Sequence, residues 1–74
     1  MNEKLYTMLH SAATADKAKA LLSIDLLSNN PVGIGDHTTE DFYKNAQEAL
    51  STFAGAQERL EVLEKYFIPG KSVI

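Results

Sequence analysis

The chain has no cysteine. Disulfides and thiolate zinc sites are thereby excluded, and the composition suits a reducing compartment. There is no cluster of lysine or arginine either. Seven bases are scattered among ten acids, for a net charge of −3. Affinity for nucleic acid comes mainly from neutralising phosphates, so nucleic acid is not an expected partner. An anionic membrane surface is disfavoured on the same ground. No apolar run approaches the roughly 20 residues that a membrane span needs. The opening Met-Asn-Glu-Lys-Leu-Tyr carries no signal-peptide core. Together these absences predict a cytoplasmic protein.

Proline and glycine are scarce where they would break helices. Two long segments, from about 3 to 28 and from about 39 to 67, contain no proline, and Gly55 is the only glycine within them. Between them, about 29–38 reads as a loop, because it gathers two of the four glycines and one of the two prolines. A short tail, 68–74, begins with a helix stop at Pro69 and Gly70. The expected fold is all-α: one domain, an antiparallel hairpin of two long helices.

The second segment carries the clearest pattern. Phe42, Ala46, Ala49, Phe53, Ala56, Leu60, Leu63 and Phe67 recur alternately four and three residues apart. That is a heptad seam, which puts all eight side chains on one narrow face. Thr38 reads as its N-cap, with Asp41 three residues on. Glu40 and Asp41 suit the positive end of the helix dipole and Lys65 the negative end. Glu40 with Lys44, and Glu61 with Lys65, stand at the favourable i,i+4 spacing.

The first segment has two apolar stripes. Tyr6, Leu9, Ala13, Ala20, Ile24 and Leu27 form one; Met8, Ala12, Ala15, Leu22 and Leu26 form the other. Asp16, Lys19 and Ser23 lie between them. One stripe can pack on the second helix. The other is left uncovered, and such a strip marks an interface. A competing reading breaks this helix at 11–14, with Thr14 capping a new helix. The abundance of alanine favours the continuous helix.

A chain of 74 residues is short for a self-sufficient core. Two helices of ~26 residues, each ~39 Å long, enclose none. Dimerisation into a four-helix bundle is the simple remedy. The expected interface is Met8, Ala12, Ala15, Leu22 and Leu26, with Tyr43, Leu50 and Ala54 on the second helix giving a further surface.

Few residues are placed for chemistry. Gly33, Ile34 and Gly35 before a helix suggest half of a phosphate-binding loop, but a helix precedes where a strand is required. The glycines are better read as turn residues. Asp36 and His37 offer two metal ligands without a third nearby. The simpler reading makes Asp36 an alternative cap and His37 a loop polar group. His10 lies near the far end of the hairpin. Asp25, near the C-terminal end of the first helix, opposes the dipole and reads as pointing to water. Glu58, Glu61 and Glu64, interspersed with Arg59 and Lys65, read as a solvated face. Phe42, Phe53 and Phe67 read as core rather than a ligand pocket. No nucleophile–base or carboxylate pair stands out. No enzyme activity and no cofactor are expected.

The run Leu27-Ser28-Asn29-Asn30-Pro31-Val32-Gly33-Ile34-Gly35-Asp36-His37, with the helix ending Leu60-Glu61-Val62-Leu63-Glu64-Lys65-Tyr66-Phe67, resembles small helical proteins encoded by tailed phages, notably marine ones. The resemblance covers about the last two-thirds of the chain; Met1 to Asp16 carry no part of it. The loop string is the specific part. The resemblance implies a helical fold and a phage origin, hence the cytoplasm of an infected host, and brings no activity with it. The expected function is a self-associating interaction or scaffold module, most simply a homodimer. The alternatives are a small regulator docking on a host or partner protein through the same stripe, and a metal or anion binder using Asp36 and His37.

Overall fold

The computed structural model describes residues 1–29 and 39–71. Over those residues the protein forms two α-helices, α1 (Glu3–Asn29) and α2 (Thr39–Tyr66), and no strand. Thr38, the interhelical loop and 72–74 lie outside the described residues.

Asn2 starts α1. Its side-chain oxygen accepts the Leu5 N–H at 2.8 Å, satisfying one of the backbone donors that a helix leaves free at its N-terminus. The helix then runs unbroken through 11–14. Thr14 does not cap a second helix. Its hydroxyl donates to the His10 carbonyl at 2.8 Å, four residues back, which is how a threonine is accommodated inside a helix. Near the other end the Asn29 amide donates to the carbonyl oxygen of Asp25 at 2.9 Å. It also reaches that residue's carboxylate at 3.4 Å.

In α2, Glu40 and Asp41 occupy the first turn and Lys65 the last. Past its end, Phe67 N–H still donates to the Leu63 carbonyl at 3.0 Å. The chain then turns. Lys71 N–H donates to the Ile68 carbonyl at 3.2 Å, with Gly70 at φ 81°. Proline followed by a glycine of positive φ is the pattern of a type II turn.

The helices pack antiparallel. Moving up α1, His10 meets Glu64 and Asp16 meets Arg59, in descending order along α2. The whole seam of α2 faces inward, each of its eight residues buried or half-buried. The buried residues are Ala13 and Ala20 on α1, and Ala49, Ala56, Leu60 and Leu63 on α2. Nothing larger than leucine is buried among the described residues. Alanines on both sides let the backbones come close, while the phenylalanines of the seam remain half-buried at its margins. The molecule extends 52 × 20 × 15 Å, two helices wide and one helix thick, so it has a contact line rather than a core.

Candidate interaction face

The second stripe of α1 is exposed and lies toward one edge of the hairpin. Met8 is 60% exposed, Leu22 59% and Leu26 53%, with Ala12 and Ala15 exposed between them. Leu5, also exposed, extends the stripe toward the N-terminus. With Lys19 included, the positions 5, 8, 12, 15, 19, 22 and 26 alternate three and four apart. This is a second heptad seam, the equal in regularity of the inner one on α2 but largely exposed. Leu5 and Lys19 were missed as members because Leu5 stands before the densest part of the stripe and Lys19 interrupts its apolar character.

The two edges of the hairpin differ. Helical geometry, at about 100° per residue, places Ala12, Asp16 and Lys19 toward one edge of α1 and His10, Lys17 and Leu21 toward the other. On the first edge, near the chain ends, Met1, Leu9, Ala12, Val62, Leu63 and Phe67 line a mostly apolar groove of about 410 Å³. Leu9, assigned to the inner stripe, is therefore only partly covered. Val62 belongs to neither stripe and was not legible as a surface residue.

Tyr43 and Leu50 are exposed, at 63% and 61%. They do not extend the α1 stripe. Leu50 lies in a groove with Ile24, Ser28, Phe42 and Ala46, whereas Leu26 shares one with Ser23, Asn45 and Glu48 across the hairpin. The flank of Tyr43, Leu50 and Ala54 thus belongs to the opposite side, and one flat partner cannot cover both.

Polar contacts tie the helices along both edges. Arg59 donates to Asp16 at 3.1 Å on the first edge. On the second, His10 Nε2 lies 2.8 Å from Glu64 Oε2, and Tyr6 stacks on the imidazole with ring centres 5.5 Å apart. The Lys17 ammonium sits 5.8 Å from the centre of the Phe53 ring, within cation–π range. The acidic stretch is therefore more than a solvated face, since Glu64 and Arg59 both reach α1. Nor do Glu61 and Lys65 pair as their spacing suggests. Glu61 accepts from the Gln57 amide at 2.8 Å, and Lys65 lies over the Tyr66 ring at 5.2 Å. Each found a competing neighbour on the same helix.

Asp36 and His37, with Gly33 and Gly35, lie outside the described residues. Among the described residues no three His, Asp or Glu side chains are grouped as metal ligands, and His10 is engaged with Glu64. No described helix is long and apolar enough to cross a membrane. No protein-family model, curated protein or solved structure matches this chain.

Proposed function

We propose that this chain is a non-enzymatic interaction module that self-associates, two hairpins combining into a four-helix dimer through the outer face of α1. One observation carries the reading. Met8, Leu22 and Leu26 are each more than half exposed on one face of α1, and with Leu5, Ala12, Ala15 and Lys19 they stand at unbroken heptad spacing, the pattern of a helix face that packs on another helix. The absence of cysteine supports a cytoplasmic location.

Sedimentation equilibrium at micromolar concentration tests the proposal, and a dimer is the expected species. Leu22→Glu and Leu26→Glu each place a charge in the seam twice per dimer. Each weakens association roughly 100-fold, from the loss of two buried leucines, while Thr7→Glu on the other side of α1 leaves it unchanged. A fully folded, stable monomer refutes the proposal. A chain that becomes ordered only on addition of a different protein would favour the docking regulator instead.

A further inference from the structure

The outer seam also determines how two copies would be oriented, an inference that rests on the self-association proposed above. We propose that the α1 helices of two copies pack antiparallel as a short coiled coil, with the two-fold axis passing between the Ala12 and Ala15 levels. Three features of α1 point to this arrangement.

The first is Lys19. It is the one charged residue in the seam, and a single polar seam position commonly sets orientation and register. In a parallel pair, Lys19 would face Lys19 of the second copy in the same layer, bringing two ammonium groups together near the middle of the interface. In the antiparallel pair the two lysines lie on opposite sides of the axis. Each stem packs along Met8 of the other copy, and its ammonium reaches water.

The second is size. With the axis at this level, Leu5 meets Leu22 of the second copy and Ala12 meets Ala15 of the second copy. Large layers fall at the ends and small layers at the centre, so the helices come closest where the side chains are smallest. Sliding by a heptad in one direction sets Leu22 against Ala12. Sliding in the other sets Leu5 against Ala15 and leaves Leu22 and Leu26 uncovered.

The third is charge. Lys4 and Asp25, both exposed, occupy the same flank of the seam, three heptads apart. In the antiparallel register each Lys4 lies beside Asp25 of the second copy, once at each end. A parallel pair would set Lys4 beside Leu9 instead. This gives Asp25, whose charge near the C-terminal end of α1 opposes the helix dipole, a cationic neighbour beyond its long contact with the Asn29 amide.

Because the native chain has no cysteine, disulfide trapping reads the geometry directly. A Leu5→Cys chain is mixed with a ¹⁵N-labelled Leu22→Cys chain and oxidised, and the products are resolved by mass. The mixed disulfide is expected to dominate over the Leu5→Cys homodimer. In parallel, Lys4→Asp and Asp25→Lys are each expected to weaken dimerisation roughly tenfold, with unchanged helicity by circular dichroism. The doubly reversed chain recovers wild-type affinity. Dominant Leu5→Cys homodimer overturns the antiparallel orientation while leaving self-association standing. A chain that sediments as a dimer but traps neither disulfide overturns the seam as the interface. Failure of the double reversal to rescue overturns the register. A wild-type monomer at all concentrations removes the self-association reading itself.

Discussion

The Arg59 guanidinium crosses from α2 to α1 and donates to the Asp16 carboxylate at 3.1 Å. The same side chain also donates from Nε to the Gly55 carbonyl at 3.3 Å, one turn back on its own helix. The second bond orients the first: the guanidinium is held against α2 and presents its far nitrogen to α1. Both partners of the ion pair are about half exposed, so water screens the attraction. A double-mutant cycle of Arg59→Ala and Asp16→Ala is expected to give a coupling of about 0.2–1 kcal/mol by chemical denaturation. The coupling should fall at high salt. A coupling above about 2 kcal/mol would show that the pair is shielded from water, against the exposure seen here.

Gly55 is a weak point of α2. It lies mid-helix, and a Cβ built there meets nothing within 4 Å. Glycine in a helix costs about 0.5–1 kcal/mol relative to alanine, through the freedom it retains when unfolded. Gly55→Ala should therefore stabilise the hairpin by that amount and raise Tm by roughly 2–8 °C. A lower Tm, measured by circular dichroism, would mean that the glycine is needed for a close approach absent from the isolated hairpin.

Two alanines two residues apart on α2 separate the inner face from the outer. Ala56 has no exposure, whereas Ala54 is exposed. Ala56→Leu forces three more carbon atoms into the helix contact and is expected to cost about 1–3 kcal/mol. Ala54→Leu should change stability by no more than about 0.5 kcal/mol. Comparable losses from the two would place the packing line of α2 elsewhere.

Much of this fold is legible in the sequence because breakers and apolar periodicity coincide. The seam from Phe42 to Phe67 holds apolar residues at unbroken heptad spacing, and its stop at Pro69 and Gly70 is local chemistry. The ties between helices are not local. Pairing Asp16 with Arg59, or His10 with Glu64, requires the register of α1 against α2. Spacing within either helix does not contain that register. The same limit explains Tyr43 and Leu50. Their exposure follows from α2 alone, but which edge of the hairpin they occupy depends on how α2 is rotated toward α1. The pairing expected of Glu61 and Lys65 failed for a different reason: Gln57 and Tyr66 compete for them at short range.

Lys19 gives the sharpest test of what the outer seam is for. In the hairpin alone it is an exposed residue at one edge of α1, so Lys19→Leu should leave stability within about 0.5 kcal/mol of wild type. Its effect should appear in association. Leucine there completes an uninterrupted apolar heptad and removes the charge that opposes parallel packing. Each of the two sites per dimer then gains an apolar contact, and dimerisation should tighten by roughly tenfold or more. Orientation should loosen at the same time: on the Lys19→Leu background, the Leu5→Cys chain should form homodisulfides that it resists with Lys19 in place. Tighter association without loss of orientation would move the orienting role to Lys4 and Asp25. No change in association at all would mean that α1 meets its partner through another face.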